Sequence, residues 1–248
     1  SGINNLILDV KVGRGALMTN VTQAKKLAKS LVSVANASNC KTRALITNMD
    51  DPLSSAIGNA LEVETVVDVL LGKNKNEKTL IDTTIALSIE LYSMVYPAKS
   101  KIDIKKKVYS LLDSGHVAER FENMVSALGG PKDFLSTYKK VLPKTKYVIP
   151  VRAKKDGYIT QIDTKALGNI LIKMGGGRQK ASDNLNLSVG FTNVVKSNNR
   201  VDANEALLML HCPDKSLSSS LQDEINNCFT ISERDRAHPK TPILRKIV

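Results

Sequence analysis

The run Asn5-Leu-Ile-Leu-Asp-Val-Lys-Val-Gly13 reads as a short apolar strand closed by glycine, with Asp9 and Lys11 near its carboxyl end. A turn at Gly13-Arg-Gly-Ala16 follows. From Val21 to about Val34, Ala24, Leu27, Leu31 and Val34 then recur at helical spacing, with Asn20 or Thr22 available as a cap. Thr42-Arg-Ala-Leu-Ile-Thr-Asn48 is a second apolar strand. Strand, helix, strand in that order predicts a right-handed parallel crossover. A core strand this early has no protected edge, so the opening residues read as the interior of a longer fold.

Working outward, Met49-Asp-Asp-Pro-Leu-Ser-Ser55 is a turn by its proline and capping residues, and it opens a helix from about Ile57 to Leu71. Helical patterns continue over Glu77 to Tyr96, Ile104 to Leu112, Val117 to Ala127 and Asp133 to Val141. Gly129-Gly-Pro131, Pro143 and Pro150 punctuate the end of this region, and the boundary is placed near Leu142. Beyond it, Lys146 to Arg152, Gly157 to Ile162 and Ala206 to His211 are short β-rich runs between turn residues. Thr164 to Lys173 has helical spacing with Thr164 as N-cap, and Leu217 to Phe229 reads as a last helix. The predicted fold class is therefore α/β: part of a mixed or parallel sheet with surrounding helices over 1–142. A smaller β-rich, barrel-sandwich-like α+β module occupies 143–248.

The 248 residues, 42% hydrophobic and 24% charged, exclude a disordered, collagen-like or disulfide-framework chain. Lys plus Arg number 36 against 24 acids, and the resulting +12 raises the local concentration of anions. Aromatics are only 4%, without Trp, so the stacking platforms of single-strand binders are mostly lacking and no nucleic-acid partner is expected. Cys40, Cys212 and Cys228 form no CxxC pair and argue for free thiols in a reducing compartment. His116, His211 and His238 do not cluster with them, so no zinc constellation is expected. With neither a leader nor an apolar run of membrane length, the expectation is a soluble, cytoplasmic protein with no membrane partner.

Three segments carry residues suited to chemistry. Asp9-Val-Lys-Val-Gly-Arg-Gly-Ala-Leu-Met18 places small residues where ligands sit in open α/β sheets, at the carboxyl end of a strand. On spacing alone a tight turn, with Lys11 paired to Asp9, is the better reading. Asn48 to Glu62 puts carbonyls and Asp side chains before a helix start, an arrangement that holds a cation, an anion or simply caps the helix. Lys173-Met-Gly-Gly-Gly-Arg-Gln-Lys-Ala-Ser-Asp183 looks like a phosphate cradle, yet it lacks the GK[ST] ending of a P-loop and the GxGxxG order of a dinucleotide site. A helix stop feeding a turn is the structural alternative.

In order and spacing, these three segments resemble the class II pyrimidine nucleoside phosphorylases. Gly129-Gly-Pro-Lys-Asp-Phe134, Gly157-Tyr-Ile-Thr-Gln-Ile-Asp163 and Ser188-Val-Gly-Phe191 match that family too, so the resemblance spans essentially the whole chain. It implies a pentosyltransferase: thymidine plus phosphate gives thymine and 2-deoxyribose 1-phosphate, with pyrimidine nucleoside and inorganic phosphate as substrates and no further cofactor. It also implies an α/β domain and a small helical domain that close on the substrates, the helical domain forming a homodimer contact. The family's Lys/Ser/Gly phosphate loop, its pyrimidine-holding Arg, Ser and Lys, and that helical domain lie upstream of the block where Ser1 begins. The catalytic residues are therefore expected upstream of Ser1, and this chain alone is expected to be inactive.

Carried over residue by residue, the resemblance makes Leu17 the apolar neighbour of the pyrimidine, where relatives often have Phe. It gives Lys11 and Asp9 a supporting place at the strand end. Leu53 and Ala56 match positions whose carbonyls hold a monovalent cation in some bacterial relatives, but the acidic partner expected at position 65 is Thr65, which argues against cation binding. Arg14, where relatives often carry a small residue, adds positive potential near the site or faces solvent. The competing readings are a non-catalytic subunit or interaction module that keeps the fold, a biotinyl- or lipoyl-type carrier at Lys173, and RNA binding motivated only by charge. Lys173 ends a helical pattern rather than tipping a hairpin, which counts against the carrier.

Overall fold

The computed structural model describes residues 2–235 and 241–248; His238 lies outside the described residues. In chain order, β1 (Asn5–Val12), α1 (Val21–Ala37) and β2 (Lys41–Asn48) form the expected strand–helix–strand unit, and β1 and β2 pair in parallel from Asn5↔Lys41 to Val12↔Asn48. The Asn20 side chain accepts from Gln23 N at 2.9 Å and so caps α1. The buried stripe of α1 is Ala24, Ala28 and Val32, not the predicted row ending in Leu31 and Val34, which are exposed. The i, i+4, i+8 row Ala24, Ala28, Val32 lies against the sheet, and Leu31 and Val34 are turned outward.

Next come α2 (Asn59–Leu70), α3 (Lys78–Val95), α4 (Lys101–Asp113), α5 (His116–Ala127) and α6 (Phe134–Val141), each close to its predicted span. Then follow β3 (Tyr147–Arg152), β4 (Gly157–Ile162), α7 (Thr164–Lys173), β5 (Gly190–Thr192), β6 (Arg200–Val201), β7 (Ala206–Cys212), α8 (Lys215–Asn227), β8 (Phe229–Ser232) and β9 (Ile243–Ile247). The architecture is mixed α/β with small sheets and helices.

Strand β9 returns to pair antiparallel with β2, giving the sheet order β1-β2-β9. Glu90 on α3 accepts from Arg43 of β2 at 3.2 Å and pairs with Lys246 of β9 at 2.5 Å, so one half-buried carboxylate ties the helical layer to both strands. Two further three-stranded antiparallel sheets, β3-β7-β5 and β6-β4-β8, share one core that includes Ile159, Leu167, Phe191, Leu208 and Ile225. These two sheets hold the predicted β-rich runs, while β9, within the expected 143–248 module, belongs to the first sheet.

Two details of that module differ from the sequence reading. The cap of α7 is Asp163, whose side chain accepts from Ala166 N, so Thr164 is the first helical residue and its hydroxyl is free for other work. The last helix starts earlier because Asp214 caps it by accepting from Leu217 N at 2.7 Å, and Phe229 opens β8, its ring buried in the shared core.

The two parts are stitched along the segment that follows β2. Ile57 and Phe191 exchange backbone hydrogen bonds at 2.9 and 2.8 Å. Gly58 and Gly190, with φ of +132° and +151°, make that approach possible, since a Cβ at Gly190 would overlap the Ile57 carbonyl. Asn59 Nδ2 donates to Gly176 O at 2.9 Å, and Ser197 Oγ donates to Asp51 at 2.5 Å.

Candidate functional site

At the carboxyl end of β1, Asp9 accepts from Thr47 Oγ1 on the neighbouring strand at 2.5 Å and pairs with Lys11 Nζ at 2.7 Å. The Lys11 ammonium nitrogen is buried and has no well-directed hydrogen-bond acceptor among the described residues, so Asp9 is its electrostatic partner and not an aligned acceptor. Desolvating an ammonium without a close anion is costly, which explains why Asp9 stands two residues away on the same face of the strand.

The turn after β1 folds back on itself through Gly13 N to Met18 O at 3.0 Å and Ala16 N to Gly13 O at 3.1 Å. It is held from outside by the segment after β2: Gly15 N donates to Met49 O and Arg14 N to Asp50 Oδ1, each at 3.1 Å. The Arg14 guanidinium stands 4.0 Å from the same Asp50 oxygen, so it faces that carboxylate. At the rim of the turn Leu17 is 90% exposed, an apolar side chain with almost no cover from this chain. The structure thus gathers Asp9, Lys11, Arg14 and Leu17 at one strand end, beside the start of the 49–58 segment.

Leu53 and Ala56 sit in that segment, which is fixed by a nearly fully buried carboxylate. Glu77 accepts from Ser55 N at 3.0 and 3.2 Å and from Ser55 Oγ, and Lys196 Nζ lies 3.7 Å away. Ala56 O already receives Ser54 Oγ at 3.3 Å, and Thr65 turns its hydroxyl back onto Leu61 O at 3.0 Å. Glu62 accepts from Gly58 N. Thr65 offers no anionic oxygen where one was expected, and the Glu77 carboxylate beside these carbonyls already accepts from Ser55 N and Oγ with Lys196 nearby, so the donor set is a poor one for a cation.

The glycine-rich stretch after α7 resolves toward the structural alternative. Gly175, at φ +86°, ends the helix, and the amides of Gln179 and Lys180 both donate to Asp183 at 3.0 Å. The amides of Gly175 and Gly176 close the helix onto Ile172 O and Leu171 O, so four amides of the stretch are already paired within the chain, while Lys173 pairs with Glu224 at 2.7 Å. An apolar cavity of about 130 Å³ in the helical layer, lined by residues such as Val66, Leu70, Ile85 and Val108, includes none of the residues named at the strand end.

Elsewhere, burial pushes the Cys228 thiol up to about 11 and lowers the His211 imidazole from its usual value. Tyr138 is pushed up to about 12, first by burial and then by its 2.5 Å hydrogen bond to Asp68. None of these groups adjoins the β1 turn. Cys40, Cys212 and Cys228 are free thiols. Among the described residues no helix is long and apolar enough to cross a membrane.

Sequence reasoning misses Thr164 and Glu77 as parts of this neighbourhood and counts Asp50 only as one of the loop's Asp side chains. Thr164 reads as a cap and Glu77 as the start of a helix, and only the folded chain brings them to the turn and its supporting segment.

A mixed α/β body ending in a sandwich-like module, with a glycine turn at a strand end, is the class of structure at hand, and two comparisons narrow it. The family model described as "Pyrimidine nucleoside phosphorylase C-terminal domain" matches residues 158–232. The chain is 38% identical over 239 residues to a thymidine phosphorylase of Burkholderia lata, covering 96% of this chain and 54% of that protein. It is 37% identical over the same length to thymidine phosphorylases of Burkholderia cenocepacia and Burkholderia orbicola. Residues 158–232 thus match the carboxyl-terminal domain of the pyrimidine nucleoside phosphorylases, and the chain as a whole is similar to the carboxyl-terminal portion of thymidine phosphorylases. It spans about half the length of the curated relatives it matches.

Proposed function

We propose that the complete protein containing this chain phosphorolyses pyrimidine deoxynucleosides, converting thymidine and inorganic phosphate to thymine and 2-deoxyribose 1-phosphate. The observation that carries this reading is 38% identity to a thymidine phosphorylase sustained over 96% of the chain. In the step, a phosphate oxygen bonds to C1′ as the bond from C1′ to N1 breaks; the electron pair leaves with the pyrimidine, which takes up a proton. Positive charge develops on the sugar, so preorganised groups around phosphate and base gain most of their effect in the transition state.

In this reading Leu17, 90% exposed at the turn rim, lies against the pyrimidine and excludes water from that face. It cannot stack as an aromatic ring would. Lys11 and Asp9 support the strand end from which the turn springs. The groups that hold phosphate and the polar edge of the base come from sequence outside these 248 residues, where the resemblance puts them, so the isolated chain is inactive. The working enzyme is a homodimer through its helical domain, and no cation or further cofactor takes part.

The test is chromatographic detection of thymine after incubating the complete protein with thymidine, with and without phosphate. Phosphate-dependent release is expected from the complete protein and none from the isolated chain. Absence of thymine from the complete protein overturns the activity; release by the isolated chain overturns the division of labour.

A further inference from the structure

We propose that Thr164, the first residue of α7, is a positioning residue: the β-rich module sets the place of the Leu17 turn through its contact with Gly15. The functional half of this inference rests on the phosphorolysis reading above.

Three observations converge on the contact. The Met49 carbonyl is shared, accepting Gly15 N at 3.1 Å and Thr164 Oγ1 at 3.4 Å, so one oxygen joins the turn after β1 to the start of α7. A carbonyl has two lone pairs and can serve both donors. The fit at Gly15 is also closed from the module side. A Cβ there would overlap Thr164 Oγ1, lie 3.0 Å from Thr164 Cβ and lie 3.1 Å from Met49 O. Thr164 is the stop against which the turn rests, and Gly15 is glycine because no side chain fits between them. Finally, Thr164 is not needed as a cap, since Asp163 already accepts from Ala166 N at 2.9 Å.

The consequence falls on Leu17. Its side chain is 90% exposed, so packing does not fix it. Its position is set by the backbone of a turn only six residues long from Gly13 to Met18, closed at 3.0 Å. Displacing Gly15 therefore displaces Leu17, because no side-chain contact absorbs the shift. Phosphate is held by other groups in the reading above, so the displacement is felt by the nucleoside and not by phosphate.

The experiment uses the complete protein and three variants, Gly15→Ala, Thr164→Ala and the double variant Gly15→Ala with Thr164→Gly. For each, KM is measured separately for nucleoside and phosphate, and backbone amide exchange is followed over residues 13–18. Small misplacements of a substrate-positioning group cost up to about a hundredfold. On that scale Gly15→Ala should raise the nucleoside KM about tenfold and Thr164→Ala about threefold, both with unchanged phosphate KM and faster exchange in the turn. The double variant removes the overlapping atoms and should bring both readouts back toward the wild type. A general loss of structure would move both KM values and would not be rescued by deleting a second side chain.

The inference is overturned if Thr164→Ala leaves exchange in the turn at wild-type rates. It is also overturned if exchange changes while the nucleoside KM does not, or if the double variant is no better than Gly15→Ala. Thr164→Ala introduces no overlap, so it decides the matter even if Gly15→Ala fails to fold. A wild-type protein with no phosphorolysis removes the activity reading by itself, and the exchange rates then still decide whether Thr164 sets the turn.

Discussion

The β-rich module and the helical layer bury their apolar residues in different ways. In the module Val151, Ile159, Ile162, Leu167, Leu207, Leu208, Leu210 and Ile225 are all fully buried within one contiguous core. The helical layer is divided: Val67, Phe134 and Tyr138 form one cluster, Ile85, Ile104 and Val108 another, and an apolar cavity of about 130 Å³ lies between α2, α3 and α4. A single core opens only as a unit, whereas small separate clusters open locally at lower cost. The 49–58 segment, and through it the Leu17 turn, is tied to the rigid partner by Ile57, Asn59, Asp51 and Met49. The difference teaches that the candidate site borrows its rigidity from a module carrying none of the residues first assigned to substrate.

The strongest way to break this contrast is Phe191→Ala. Its ring is fully buried in the module and its backbone holds Ile57, so the truncation should cost about 3–5 kcal/mol in denaturant unfolding. A loss under about 1 kcal/mol would mean that the module core gives way as easily as the helical clusters.

A gentler probe of the same core is His211 on β7, whose ring nitrogen Nε2 lies 2.8 Å from Thr192 Oγ1. Burial lowers its pKa, so as pH falls below about 6.5 the unfolded chain takes up a proton that the folded chain resists. Stability from this group is thus present above the unfolded value and declines with acidification toward the folded one, by at most about 1.4 kcal/mol per pH unit. Comparing unfolding of the wild type and His211→Gln between pH 7.5 and 5, values chosen to bracket about 6.5, should show a shallower acid loss in the variant. Identical slopes would place the imidazole in water.

The smallest stability effect belongs to the site side. Leu17→Ala should change unfolding free energy by no more than about 0.5 kcal/mol, since the side chain is 90% exposed, yet it should raise the nucleoside KM of the complete protein. A marked loss of stability instead would show that Leu17 packs within the chain, against its exposure.

Much of this was legible in the sequence. The strands Asn5–Val12 and Lys41–Asn48 and the helices from α2 to α6 carry their own periodicity, and each falls within a few residues of its expected span. Strand β9 was not foreseen, because Ile243–Ile247 is short, carries Arg245 and Lys246 within it, and is a strand only by virtue of β2, nearly two hundred residues earlier. The buried face of α1 differs for a related reason: helical spacing from Leu27 points to Leu31 and Val34, while the sheet sets the rotation of the helix so that Ala24, Ala28 and Val32 face it. Thr164 has the type and place of a cap. Asp163 takes that duty and frees Thr164 to meet Met49 and Gly15.

The first strand–helix–strand unit, the run of helices after it, the β-rich character of the carboxyl-terminal module and the six blocks that resemble the phosphorylases are legible in the sequence alone, since periodicity, turn chemistry and motif order are local properties of a chain. The folded chain alone settles that β9 closes the first sheet, that Asp183 takes the amides of Gln179 and Lys180, and that Met49 O is shared between the turn and α7. Each of these joins donors and acceptors by geometry. Which donor reaches a given carbonyl or carboxylate depends on how the whole fold orients it, and residue type alone does not settle the competition.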